Sequence, residues 1–194
     1  MASETEICNM ALYRTGVSQA IGNLTTEQST EARICRLFYP QRRDSLLQEM
    51  DWNFNRKRAA LAQLTDTPPT NWAYVYALPD DCLAVRALVV EGDRHPIYEL
   101  TVPHEIAGRH LYCDLDTIEI VYSARVTDTS YYDPLFVDLL SLALVPDLAM
   151  GLAVKGEIVQ MARQQYMVFW TQAAAAHLNQ GFDLDKESEF IRVR

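Results

Sequence analysis

Histidine and cysteine, the side chains that most often bind zinc, occur together in the middle of the chain. His104, His110 and Cys113 fall within one short segment. His110 and Cys113 are three residues apart on a predicted strand, so their side chains should point to opposite faces of the sheet. The ligands of one metal ion have to converge, and we therefore expect no metal site here and a turn or surface role for each histidine.

Acidic residues follow at Asp114, Asp116 and Glu119, and closely spaced carboxylates are typical of calcium loops. No glycine stands at the sharp turn that an EF-type loop requires, which favours a solvated acidic hairpin. The motifs GxSxG, HExxH, GxGxxG and GxxxxGKS/T do not occur. The sequence thus predicts no cofactor, while a small cytoplasmic enzyme using His104, His110 or the aspartates stays open as an alternative.

Basic residues are concentrated between residues 31 and 60, where 7 of the 17 lysines and arginines occur. Four acidic residues share this window, so its local charge is +3. Three interpretations are open: a solvated helix face with i,i+4 ion pairs, a docking surface for an acidic protein, or a regulator that binds nucleic acid through a helix at 33–58. The cluster consists of Arg33, Arg36, Arg42, Arg43, Arg56, Lys57 and Arg58.

The composition is typical of one medium-sized globular domain, with 194 residues, 49% hydrophobic and 22% charged. The net charge of −9 argues against a strongly basic nucleic-acid reader. The N-terminal segment MASETE has acids where a secretory signal has bases, so we expect no such signal. The four cysteines form no CxxC pair and are expected to be free thiols.

Residues 134–154 are apolar enough to resemble a membrane span. They contain Asp138, Asp147 and a central Pro146, and each aspartate costs about 2.5–3.5 kcal/mol at a bilayer centre. A helix that is apolar on nearly all sides is stable when other protein segments surround it. We therefore predict a core helix and no membrane contact.

Helical periodicity dominates the N-terminal part of the chain. A first helix is predicted from Ser3 to Thr15, with Ser3 and Glu6 as a capping box and Gly16 as its stop. A second helix is predicted from about 27 to 50, and Pro40 predicts a kink or break near residues 37–39.

Helical periodicity returns after about residue 130. An apolar helix is predicted from 134 to 154, bent near Pro146, and a last helix from 157 to 179. One side of that last helix is expected to carry the apolar residues Ile158, Met161, Ala162, Phe169 and Ala173. The ten tyrosines and three tryptophans suit either a bundle core or subunit interfaces, and the sequence does not separate these uses.

Proline and glycine divide the middle of the chain into short strand-like runs at 73–78, 83–90, 109–114 and 117–122. No helix-length segment separates these runs, which favours antiparallel pairing and an α+β fold over an α/β fold. The predicted organisation is a helical bundle built from residues 1–50 and 131–181, with a small antiparallel β subdomain at 51–130 inserted between them. Residues 182–194 are expected to form an extended C-terminal arm.

The ordered series of segments resembles the head-to-tail adaptors of tailed bacteriophages, the tail tubular protein A-like and related head-completion proteins. It begins with ICNMALYRTGVSQAIGNL and ARICRLFYPQRRDSLLQEMDWNFNRKRAAL, in which a helix leads into a DW-x-F turn. It continues with YVYALPDDCLAVRAL, YEL, LYCDLDTIEIVYSARVTD and YYDPLFVDLLSLALVPDLA. The resemblance covers residues 4–178 and rests on the order of these segments, since none is diagnostic alone.

The resemblance implies a structural virion protein that is assembled in the host cytoplasm and performs no catalysis. About twelve copies would form a ring under the portal protein, extend the DNA channel and provide a platform for the tail tube or nozzle. Double-stranded DNA would pass through the lumen without specific binding. The net charge of −9 per copy agrees with an acidic lumen that repels phosphates, as a basic one would retain them.

The resemblance also implies two docking sites. The arm would bind the portal, with apolar anchors and charged contacts at Phe182, Phe190, Ile191, Arg192, Val193 and Arg194. The 64–72 loop and the 95–108 region would face the next tail component, with contacts at Pro68, Pro69, Trp72, His95, Pro103 and His104.

Overall fold

The computed structural model of the chain describes residues 2–69, 71–89 and 102–180. Within these ranges, helices at both ends of the chain enclose a central run of strands. The helices are α1 (Glu4–Arg14), α2 (Thr30–Glu49), α3 (Pro134–Gly151) and α4 (Gly156–Gln180). The strands are β1 (Arg56–Ala60), β2 (Ala62–Gln63), β3 (Tyr74–Ala77), β4 (Cys82–Val89), β5 (His104–Ala107), β6 (His110–Cys113) and β7 (Glu119–Ala124). The predicted α+β class is confirmed.

Helix α1 has the capping that its sequence predicts. The Ser3 hydroxyl accepts a hydrogen bond from the Glu6 backbone N–H at 3.2 Å, and the Glu6 carboxylate accepts one from the Ser3 N–H at 2.6 Å. Gly16 ends this region at φ +83°, a conformation that side chains rarely tolerate. Both predicted signals, the capping box and the glycine stop, are confirmed.

Pro40 does not break α2, which runs uninterrupted from Thr30 to Glu49. Of the two outcomes predicted near residues 37–39, the break is therefore wrong, and the kink stays a prediction. Pro40 is exposed, so water can solvate the carbonyl that has lost its helical donor. Pro146 likewise lies inside the continuous helix α3.

Helix α3 lies at the centre of the four helices. It packs against α1, α2 and α4, and its buried residues occur on several sides of the helix. By length and composition it is also apolar enough to cross a membrane, but half of that stretch is buried inside the protein. This burial is typical of a core helix. The buried side chains include Phe136, Leu139, Leu140, Leu144, Val145 and Leu148.

The β region consists of two antiparallel sheets, with strand orders β1-β7-β4 and β2-β3-β6-β5. The chain passes from one sheet to the other at Leu61, whose N–H donates to the Ile118 carbonyl at 3.0 Å. Tyr76 and Leu111 from one sheet share an apolar cluster with Ile120 and Tyr122 from the other. Four strands follow the predicted runs, whereas the sequence analysis missed β1, β2 and β5.

The DW-x-F segment joins the helical half to the first sheet. Trp52 is fully buried, its indole N–H donates to the Leu46 carbonyl at 2.9 Å, and its ring meets Phe136 edge-on at 5.1 Å. Buried Asn55 donates to the Leu47 carbonyl at 3.1 Å. These contacts fix the direction in which β1 leaves the end of α2.

Candidate functional site

The outer face of α4 is poor in charge and partly apolar. Of the 25 residues in this helix, only Glu157 and Arg163 carry a formal charge. Met161, Met167 and Val168 are 55%, 61% and 56% exposed. We call the following residues the α4 outer face: Gln160, Met161, Gln164, Gln165, Met167, Val168, Thr171 and Gln172.

The inner side of α4 is held by small and aromatic residues. Ala162 and Ala173 are buried, and Tyr166 and Phe169 pack at the edge of the core formed with α3. The predicted apolar side of the helix is therefore correct for most of its members. Met161 is the exception, because it lies at the border of that side and is exposed to solvent.

His177 connects the C-terminal end of α4 to the DW-x-F segment. Its Nδ1 accepts a hydrogen bond from the Asn53 N–H at 3.4 Å, and its Nε2 lies 3.4 Å from a carboxylate oxygen of Asp133. The ring also meets Trp52 edge-on at 4.7 Å. Burial lowers the pKa of His177 although the Asp133 carboxylate acts in the opposite direction, so the imidazole is neutral at pH 7.

A groove of about 540 Å³ runs beside α4. On one side Arg42 donates to Asp147 at 2.7 Å, and on the other lies the exposed Arg163, which forms no ion pair within the described residues. The hydroxyl of Tyr166 donates to Glu49 at 3.2 Å, and burial and this carboxylate raise the pKa of Tyr166. The groove is lined by Arg42, Leu142, Ala143, Pro146, Arg163, Tyr166 and Met167.

A second groove, of about 460 Å³, follows one face of α1. Tyr13 at its end is 57% exposed, and Met10 is half-buried. Glu6 is its single charged residue, and hydrogen bonds from the Ser3 backbone and hydroxyl lower the pKa of that carboxyl. We call this the α1 groove; it is lined by Ala2, Glu6, Asn9, Met10 and Tyr13.

The basic cluster of the sequence does not form one helix, so the interpretation of 33–58 as a single basic helix is wrong. The chain leaves α2 at Glu49, and the last three basic residues of the cluster lie on β1. Five of the seven members form ion pairs with acidic side chains, and three of these pairs join residues at least 24 positions apart. The pairs are Arg42–Asp147, Arg43–Asp44, Arg56–Asp51, Lys57–Asp81 and Arg58–Glu119.

The guanidinium of Arg36 binds backbone carbonyl groups instead of an acidic side chain. It donates to the backbone oxygens of Leu24 at 2.7 Å and Glu27 at 2.6 Å, which closes the loop before α2. An arginine used in this way contributes little to a docking surface for an acidic protein or nucleic acid, because its donors already have partners.

The residues predicted to face a tail component partly come together at the outer end of the second sheet. The Trp72 indole donates to Glu105 at 2.9 Å, which brings the 64–72 loop beside β5. His104 begins β5, and its Nδ1 lies 2.9 Å from the Val102 carbonyl oxygen. Pro69 and Pro103 are exposed, and Pro68 is half-buried. His95 and the six arm residues named above lie outside the described residues.

The suspected metal ligands have ordinary positions in the second sheet. Along β6, Leu111 and Cys113 are buried on one face while His110 belongs to the other. Asp114 accepts a hydrogen bond from the Ala73 N–H at 3.0 Å at the end of the β3–β6 pair. The predicted acidic hairpin is wrong, because β6 and β7, the strands on either side of Asp114, belong to different sheets. In the ranges 2–69, 71–89 and 102–180, no three His, Cys, Asp or Glu side chains are close enough to hold a metal ion.

Sequence reasoning missed the α4 outer face, although its signal is present in the sequence. A surface helix normally has a charged side, and α4 has glutamine, methionine and threonine there instead. Protein interfaces are depleted of charge at their centre and enriched in methionine and aromatic residues. No protein-family model and no curated protein sequence matches the chain. The interpretation of the α4 outer face as an interface therefore rests on the sequence and the structure.

Proposed function

We propose that the protein is a structural head-to-tail adaptor of a tailed bacteriophage that works as a ring of about twelve copies. The observation that carries this proposal is the α4 outer face, an uncharged and partly apolar surface on a chain with net charge −9. Copies with this net charge repel one another, and a contact centred on uncharged surface adds no further repulsion between them. The order of sequence segments that resembles the adaptor family is the second support.

A ring follows from such a surface if it binds a different part of the next copy. Head-to-tail contacts of this kind produce closed rings when the rotation between copies closes. The portal protein would then be the template on which the copies assemble, and the lumen would continue the DNA channel. The excess of acidic residues suits this use, because phosphate groups would pass the wall without being retained.

The two ends of the subunit have separate partners in this proposal. The segment 182–194 binds the portal through Phe182, Phe190, Ile191, Arg192, Val193 and Arg194. The tail tube or nozzle binds the corner where the Trp72 indole meets Glu105, together with Pro68, Pro69, His95, Pro103 and His104. That corner combines exposed prolines with an aromatic ring and a charge, a mixture suited to the rim of an interface.

Particle-bound stoichiometry tests this proposal. Purified virions or tailless capsids that carry the portal are dissociated, and the copies of this chain per portal ring are counted by mass measurement. About twelve copies per portal are expected, together with loss of binding when residues 182–194 are deleted. The deleted chain should show the same thermal unfolding as the full chain. Absence of the protein from finished particles would contradict the proposal.

A further inference from the structure

We propose that the α4 outer face of one copy packs into the α1 groove of a second copy of this chain. This inference rests on the proposed ring and names the two surfaces that would build it. One surface is a helical ridge with Met161, Met167 and Val168 exposed. The other is a concavity of about 460 Å³ whose floor and end are formed by Ala2, Met10 and Tyr13.

The two surfaces match in polarity. The ridge presents methionine, valine and glutamine, and the groove presents alanine, methionine, tyrosine and asparagine. Methionine and glutamine are unbranched and adapt to an irregular concave partner. The Asn9 side chain in the groove donates to the Ile21 carbonyl at 2.9 Å and accepts from the Ile21 N–H at 2.8 Å, so its amide is held in place.

Charge identifies the orientation. The α4 helix has one basic residue, Arg163, which forms no ion pair within the described part of the chain. The α1 groove has one acidic residue, Glu6, which is exposed and negatively charged at neutral pH. Placing Arg163 of one copy beside Glu6 of the next pairs opposite charges across the contact.

The size of the contact indicates when it forms. Helix α1 has 11 residues and so extends for about 16 Å, which limits the contact to a few hundred Å² per copy, on the order of half of a standard interface. A pair of copies is then weakly bound. A closed ring on a template gives every copy two such contacts and holds them together.

Crosslinking tests the contact with the full-length chain. Met167→Cys and Tyr13→Cys are combined, and the concentrated protein is treated with a short bismaleimide. Because each copy then offers both partners, we expect a ladder of dimers, trimers and larger species. The wild type, with three buried cysteines and half-buried Cys82, and a Met167→Cys/Ile106→Cys variant supply the background.

A ladder no stronger than this background would overturn the proposed contact. So would dimers from Met167→Cys alone, since they would show α4 packing on α4. The outcomes separate this inference from the proposed function: particles that contain the protein without the ladder contradict only the contact. A ladder from a protein that is absent from virions contradicts only the adaptor role.

Charge exchange tests the orientation. Arg163→Glu in the crosslinking variant should reduce the ladder at least several-fold, and adding Glu6→Lys should restore it. The matched control adds Glu4→Lys instead, which makes the same charge change two residues away on α1. Failure of Glu6→Lys to restore the ladder, in a variant whose helix content by circular dichroism is unchanged, would overturn the Arg163–Glu6 placement.

Discussion

Helices α3 and α4 are consecutive and are both poor in charge. They differ in burial, since α3 lies inside the protein whereas α4 exposes one face to solvent. Helix α3 is enclosed by α1, α2 and α4, and its two aspartates pair with Arg14 and Arg42. Helix α4 packs mainly on α3 and leaves its outer face exposed, with Arg163 outside any ion pair of the described residues. An apolar helix with one main neighbour is a surface that a further protein can cover.

The largest difference between α3 and α4 in the free energy of unfolding is expected when an apolar side chain is truncated to alanine. Phe136→Ala in α3 should lower the free energy of unfolding by about 3–5 kcal/mol, because the ring is fully buried among Trp52, Phe54 and Tyr132. Met167→Ala in α4 should change it by less than about 0.5 kcal/mol. Urea denaturation of both variants measures the difference. Equal losses would mean that the α4 outer face contributes to the core of the free subunit.

The ion pairs of α3 should have an intermediate effect. Asp147 is 14% exposed and binds the Arg42 guanidinium through two oxygens, so Asp147→Asn should cost about 1–2 kcal/mol. Asp138→Asn is the matched control, and its more exposed pair with Arg14 should contribute about 0.5 kcal/mol. Thermal unfolding of the two variants checks the order, which equal or reversed losses would contradict.

The C-terminal end of α4 should respond to pH through His177. Burial lowers its pKa in the folded state below the ordinary 6.5, so the unfolded chain binds the extra proton more readily. Stability from this group is present above about pH 6.5 and is lost as the pH falls through the folded-state pKa. His177→Asn keeps an acceptor for the Asn53 N–H and should flatten the pH dependence, measured as unfolding midpoints from pH 7.5 to 5.5. An unchanged pH dependence would show that it does not arise from His177.

A charged substitution on the α4 outer face should have the smallest effect on the stability of the subunit and the largest effect on its assembly. Met167→Glu on the α4 outer face should leave the unfolding midpoint unchanged to within about 0.5 kcal/mol and abolish ring formation, because it places a charge in an apolar contact. Tyr131→Glu, at a similarly exposed position just before α3, is the control and should assemble normally. Sedimentation of portal-containing assemblies measures both, and normal assembly of Met167→Glu would contradict the role of this face.

Local signals in the sequence were sufficient where structure depends on neighbouring residues. The Ser3–Glu6 capping box, the stop at Gly16 and the alternation in β7 each act within a few residues of the chain. Strand β1 has no such signal, because its basic residues are held by pairing with β7 and by ion pairs such as Lys57–Asp81. A partner 24 residues or more away is invisible to local periodicity.

At the candidate site, too, the sequence predicts what depends on neighbouring residues and not what depends on distant ones. The apolar side of α4 is readable from the spacing of Ala162, Phe169 and Ala173, but spacing does not tell whether Met161 touches its own chain or another. Exposure separates the two cases, and only the three-dimensional structure supplies it. Likewise, Pro40 and Pro146 predict weakened helices, and tertiary packing keeps both helices continuous.

Chemical labelling shows whether a neighbouring protein covers the α4 outer face in the assembled particle. Met167→Cys and, separately, Tyr131→Cys, at a 63% exposed position just before α3, are treated with a maleimide in the free subunit and in the assembled particle. We predict at least tenfold slower labelling at 167 in the particle and little change at 131. Equal labelling rates at 167 in both states would show that no neighbour covers this helix and would contradict the account.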